Sequence, residues 1–214
     1  MGATREIRAA RWATAGLIAL AAAFGLGLLI RVAAGDGPLG IDSWWREIAR
    51  AAPQGLLLDV SRVLDIVGGG RFATLWVPLG IILLLILLRR PWSALAFSVA
   101  SLASTGLVQL AKAAFARLRP DDILIDISSA AYPSGHSANA ATIAMMLWLV
   151  FPRWWVGVLG ALWVAAMAFS RTHLAAHWLT DTIGGALTGA GIALIVAACF
   201  ARLLEEEPRQ YRIR

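Results

Sequence analysis

Apolar residues fall into six long runs separated by short polar breaks, at about 12–32, 72–88, 92–110, 134–151, 154–169 and 182–200. Runs of this length and low charge read as membrane helices, because a hydrocarbon core of ~30 Å needs roughly 20 helical residues to cross. Between the first two runs the pattern changes. Ile41, Trp44, Trp45, Ile48 and Ala52 recur at helical spacing with Arg46, Glu47 and Arg50 opposite, which suits an amphipathic helix lying in the membrane interface. Such a helix could connect two spans or guide lipid to a site. Leu56 to Val67 makes a second segment of this kind, with Asp59, Arg62 and Asp65 on one side, until Gly68-Gly69-Gly70 interrupts it. Asp36-Gly37-Pro38, Arg89-Arg90-Pro91 and Pro152-Arg153 punctuate the runs, and Pro78 marks a kink inside the second. The expected fold is all-α: a polytopic membrane protein of six transmembrane helices with interfacial helices on the outer side, forming a single domain over 1–214.

Composition agrees with this pattern. Of 214 residues 59% are hydrophobic and the mean hydropathy is +0.72, against ~45–50% apolar in a soluble domain. A net charge of +6 would suggest nucleic acid in a soluble protein. Here the arginines flank spans and meet anionic headgroups, so membrane lipids are the expected partner and nucleic acid is not. The single cysteine, Cys199, excludes an internal disulfide and any cysteine-cluster metal site. The ten tryptophans read mostly as interfacial anchors.

Arg5, Arg8 and Arg11 precede the first run, whose length favours a retained span over a cleaved signal peptide, although Val32-Ala33-Ala34 offers small residues at a cleavage position. Six spans put both termini on one side. With the termini inside, the inner segments hold ten of the nineteen Lys and Arg, which decides nothing alone. The two short basic turns, Arg89-Arg90 and Arg153, are nevertheless both inner, so the termini are expected in the cytoplasm and the chain in the plasma membrane. The tail from Glu205 to Arg214 reads as a solvated, charged end.

Three polar clusters lie at the edges of apolar runs, and all three fall on the opposite, extracytoplasmic side. Ionisable groups there are costly and point to function. In Lys112 to Pro120, a helix would put Lys112 and Arg119 on one face about 10 Å apart. Such a pair suits a phosphate or diphosphate, and it equally suits headgroup anchoring. In Pro133-Ser134-Gly135-His136, Ser134 can cap the next helix, Gly135 lets backbone approach a ligand, and His136 sits beside any bound anion. In Ser170 to Asp181, a helical end would place His177 and Asp181 four residues apart on one face. A carboxylate there can hold one imidazole nitrogen and free the other. His173, in the same stretch, reads as a pocket-lining or locally hydrogen-bonded side chain.

The order Lys-x6-Arg-Pro, Pro-Ser-Gly-His and Ser-Arg-x5-His-x3-Asp resembles the type 2 phosphatidic acid phosphatase (PAP2) superfamily, membrane lipid phosphatase branch. Lys112, Arg119 and Pro120 match its first motif, Pro133 to His136 its second, and Ser170, Arg171, His177 and Asp181 its third. The resemblance implies metal-free, cofactor-free hydrolysis of a lipid phosphate ester or anhydride through a phosphohistidine. On that reading His177 is the nucleophile, Asp181 orients it and His136 is the general acid. Lys112, Arg119, Arg171, Ser134 and the N–H of Gly135 hold the phosphoryl oxygens, and Ser170, Pro120 and Pro133 support them. An undecaprenyl or other polyprenyl diphosphate is the leading substrate, with phosphatidylglycerol phosphate and phosphatidic acid close behind. The competing readings are a transporter or non-catalytic lipid-phosphate binder, and a soluble haloperoxidase with a similar anion site, which the apolar spans disfavour.

Overall fold

The computed structural model describes residues 2–70 and 72–210, and among them there is no strand. The chain forms α1 (Gly2–Ala34), α2 (Gly40–Ala51), α3 (Leu56–Gly68), a π-helical turn (Phe72–Trp76), α4 (Val77–Leu87), α5 (Pro91–Phe115), α6 (Gly135–Val150), α7 (Trp154–His173), α8 (Leu179–Cys199) and α9 (Ala201–Gln210). Four helices are long and apolar enough to cross a membrane: α1, α5, α7 and α8. A fifth crossing results if α3 and the segment from Phe72 to Leu87 form one span bent by 51°. The fourth apolar run, 134–151, becomes α6, which has only 16 residues and lies inside the bundle against α5, α7 and α8. Leu56 to Val67 therefore packs against α7 and continues towards α4. The bend lies at the glycines before Phe72, and Pro78 sits where the π turn passes into α4, a junction where its missing N–H costs least.

The close packing of α6 on α8 is set by glycine. A Cβ at Gly185 would overlap the Ser134 carbonyl oxygen, and one at Gly189 would overlap that of Ala138. Small residues let two backbones approach in lipid, where dispersion rather than water exclusion holds helices together. At the far end Leu85, Phe97, Met146, Val150 and Val196 close an apolar core.

The charged tail is less solvated than expected. Glu207 is fully buried and accepts hydrogen bonds from Trp92 N (2.6 Å) and Ser93 N (3.2 Å), capping the free donors at the start of α5. Residues 211–214 of that tail lie outside the described residues. Arg8 pairs with Glu205 at 2.9 Å, so the start of α1 and α9 share one end of the bundle. The end of α5, the start of α6, the end of α7 and the start of α8 meet at the other end.

Candidate active site

At that second end a cavity of about 250 Å³ is lined by Lys112, Arg119, Gly135, His136 and His177, closed on one side by Gly68, Gly69 and Gly70. A larger apolar groove of about 900 Å³ runs between α6, α7 and α8 and carries no ionisable side chain. The polar cavity is the one equipped for chemistry.

Each cluster reaches the cavity by a local device. Ala116 takes a left-handed conformation (φ 45°) and ends α5 just before the basic segment. Lys112 and Arg119 thus do not share a helical face, as a continuous helix would have required. They converge because both donate to the Ala130 carbonyl, Arg119 Nη2 at 3.3 Å. Arg119 is also fixed by Ser129 O at 2.7 Å and by the Ala176 carbonyl.

Ser134 caps α6 as expected, its Oγ accepting from Ser137 N at 3.4 Å. Fully buried in that role, it stands behind the cavity, whereas Gly135 lines it. His136, one residue on, has its Nε2 3.2 Å from Asp65 Oδ1 and 3.0 Å from Arg171 Nη1. Arg171 Nη1 donates to Asp65 Oδ1 at 2.6 Å, its Nε to Ser170 Oγ at 3.4 Å, and its buried Nη2 has no partner.

His177 is not helical. It precedes Trp178, the N-cap of α8, and Asp181 sits at the third helical position. The pair is joined by the cap: Asp181 Oδ2 accepts from Trp178 N at 2.8 Å and stands 3.6 Å from His177 Nδ1. On the other ring edge Arg119 Nη1 lies 3.1 Å from His177 Nε2. A guanidinium only donates, so Nε2 carries the lone pair and Nδ1 carries the hydrogen facing Asp181. Burial, together with the charges of Arg119, Lys112, Arg171 and His136, holds His177 well below the ordinary histidine range. Arg119 falls to about 10, chiefly through burial against the raising effect of Asp181, and stays protonated at neutral pH.

His173 makes a local contact, with Ser61 Oγ 3.0 Å from its Nδ1 and Phe169 stacked at 5.4 Å. Three residues outside the motifs belong to the site. Asp65, on α3, bridges Arg171 and His136. Arg117 donates to Asp181 Oδ1 and to Asp42 Oδ2, each at 2.6 Å. The visible signal for Asp42 and Asp65 was ionisable residues inside amphipathic segments, which alone reads as a solvated face, and Arg117 lay among the unspecified positions between Lys112 and Arg119. Among the described residues no three His, Cys, Asp or Glu side chains gather as a metal site.

A family model for the PAP2 superfamily matches residues 93–205, more than half of the chain. The chain belongs to the PAP2 superfamily. This PAP2 chain is 28% identical over 127 residues to an undecaprenyl-diphosphatase of Sulfolobus acidocaldarius, covering 56% of the chain and 61% of that relative. It is 35% identical over 72 residues to a lipid A 1-phosphatase of Rhizobium johnstonii, covering 33% of the chain and 28% of the relative. The match therefore spans about three fifths of the first relative's length and under a third of the second's. Two crystal structures share the fold. A transmembrane PAP2 type phosphatidylglycerolphosphate phosphatase from Bacillus subtilis superposes with a TM-score of 0.75 at 21% identity, over 88% of this PAP2 chain and 96% of that one. LpxE of Aquifex aeolicus gives 0.66 at 21% identity, over 74% and 95%.

Proposed function

We propose that the protein is an integral membrane lipid phosphatase that works through a phosphohistidine, without a metal ion. The observation that carries this is His177: a buried imidazole whose Nε2, 3.1 Å from Arg119 Nη1, faces a cavity bearing Lys112, Arg119 and His136. The Nε2 lone pair forms a bond to the terminal phosphorus as its P–O bond to the leaving group breaks, at the bridging oxygen of a diphosphate or the ester oxygen of a monoester, and His136 gives its proton to that oxygen. Asp65 Oδ1 and Arg171 Nη1, 3.2 and 3.0 Å from His136 Nε2, hold the ring that makes this transfer. Lys112, Arg119, the unpartnered Nη2 of Arg171 and the Gly135 N–H hold the phosphoryl oxygens as charge shifts across them. A water then attacks phosphorus and passes a proton to His136. Inorganic phosphate leaves and the Nε2 lone pair is restored.

The substrate reading is an undecaprenyl or other polyprenyl diphosphate, which the name of the Sulfolobus relative supports. Phosphatidylglycerol phosphate or phosphatidic acid is the alternative, supported by the Bacillus structure. An apolar chamber of about 160 Å³, lined by Val67, Val77, Ile143, Trp163 and Met167, adjoins the cavity at His136 and Asn139. It suits the first carbons beyond the leaving oxygen of a phosphate monoester, the arrangement of the alternative substrates. The accompanying topology has six crossings, cytoplasmic termini and an extracytoplasmic site, with α2 at the interface.

The test presents purified protein with prenyl diphosphates and glycerophospholipid phosphates in EDTA and measures phosphate release. Turnover with chelator present, abolished by His177→Ala or His136→Ala in protein that still inserts, is the expected result. Turnover lost on chelation removes the metal-free mechanism. Wild-type turnover in either variant removes the assigned roles.

A further inference from the structure

We propose that Asp42 and Arg117 are positioning residues for catalysis, and that the interfacial helix α2 exists to deliver Asp42 to the nucleophile's carboxylate. This rests on the phosphohistidine reading above. Asp42, Arg117 and Asp181 form a continuous chain of alternating charge, with relative exposures of 1%, 2% and 0%. Arg117 Nη1 donates to Asp181 Oδ1 and Nη2 donates to Asp42 Oδ2, each at 2.6 Å. Nη1 also donates to Thr180 Oγ1 at 2.8 Å, and the remaining donors go to Gly37 O, at 3.2 Å from Nε and 3.0 Å from Nη2.

Both carboxylates stand at equivalent points. Asp42 is the third residue of α2 and accepts from Leu39 N at 3.0 Å; Asp181 is the third of α8 and accepts from Trp178 N at 2.8 Å. Asp42 also reaches across to α8, its Oδ1 accepting from Thr180 N at 2.9 Å. Two helix N-termini thus abut, each favouring a carboxylate, and one guanidinium bridges them.

The charge balance gives the arrangement its use. Arg117 alone would neutralise Asp181, leaving little negative potential for the ring of His177. With Asp42 the trio carries one net negative charge. When Nε2 bonds to phosphorus, the ring, still holding its Nδ1 hydrogen, becomes cationic. Arg119, Lys112 and Arg171 all oppose that cation, and the trio offsets it from the other ring edge. Asp42 touches neither phosphate nor lipid, so its effect should fall on the chemical step and not on binding.

The test uses the full chain in detergent micelles, with farnesyl diphosphate and dioctanoyl phosphatidic acid as probes and inorganic phosphate as competitive inhibitor. Asp42→Asn keeps the side chain's shape and removes its charge. The expected result is kcat lowered about tenfold or more for the probe that turns over. KM and the phosphate inhibition constant should stay within about twofold. Asp42→Asn/Arg117→Gln removes both members of the outer pair and restores the single negative charge. It should recover most of the lost kcat, and it carries the test if Asp42→Asn alone is not monodisperse. Unchanged kcat in Asp42→Asn, a loss that tracks only the folded fraction, or a monodisperse double variant with less activity than the single overturns the proposal. Those outcomes leave the phosphatase reading standing. Wild-type protein that releases phosphate from neither probe nor any lipid of the wider panel overturns both.

Discussion

Asp65 Oδ1 stands 3.2 Å from His136 Nε2, on a helix that no catalytic motif includes. The contact ties His136, the proposed general acid, to α3, and the same carboxylate oxygen takes Arg171 Nη1 at 2.6 Å. The His136 ring and the third motif's arginine are therefore held by one side chain. Asp65→Asn should lower kcat about tenfold or more for an alkyl phosphate, whose departing oxygen needs a proton. It should cost much less for p-nitrophenyl phosphate, whose phenolate leaves unaided. Equal losses on the two substrates would count against an acid-positioning role.

His177 should remain neutral in the folded protein well below pH 6.5, because burial and the facing cations depress its affinity for a proton. The unfolded chain takes up that proton near pH 6.5. Below that pH the unfolded state binds more protons, so the stability contributed by the neutral ring is full above about pH 6.5. It then declines by up to about 1.4 kcal/mol per pH unit towards the folded value. Thermal unfolding in detergent from pH 7.5 to 4.5 should show this acid slope in the wild type and a shallower one in His177→Gln.

Gly69 fixes the other wall around the His136 ring. A Cβ there would overlap the His136 ring, so Gly69→Ala must displace the imidazole or α3. Activity should fall about 10²-fold, the lower range for removing a general acid. Thermal stability should change little, since Gly69 lies between α3 and the π turn. A variant with wild-type turnover would show that the ring can move without loss.

The glycines of α8 make a contrasting prediction. Gly189→Ala meets a backbone carbonyl of α6, which cannot rotate aside as a side chain could. It should destabilise the bundle by about 1–3 kcal/mol, measured by thermal unfolding. Turnover per folded molecule should be retained far better than in Gly69→Ala.

Much of this was legible in the sequence because membrane helices and span-edge charges are local signals. The apolar runs marked α1, α5, α7 and α8, and the three motifs named Lys112, Arg119, His136, Arg171, His177 and Asp181, all of which meet at one end of the bundle. Two kinds of information were hidden. Backbone departures such as Ala116 and the start of α8 at Leu179 depend on capping contacts with distant segments, so helical spacing misplaced Arg119 and His177. Burial of Asp42 and Glu207 depends on which face of a short helix meets the bundle, and burial of Arg117 on the turn that ends α5. An amphipathic pattern makes such residues look solvated, yet Asp42, Arg117 and Glu207 are fully enclosed.

The left-handed residue at Ala116 has a further consequence. It ends the helix, and in the irregular tether that follows Arg117 goes to Asp42 and Asp181 while Arg119, two positions on, goes to His177. Spacing, more than identity, separates the two arginines. Deleting one residue from this tether would slip each into the place of its neighbour, so the segment should tolerate changes of Leu118 far better than changes of length.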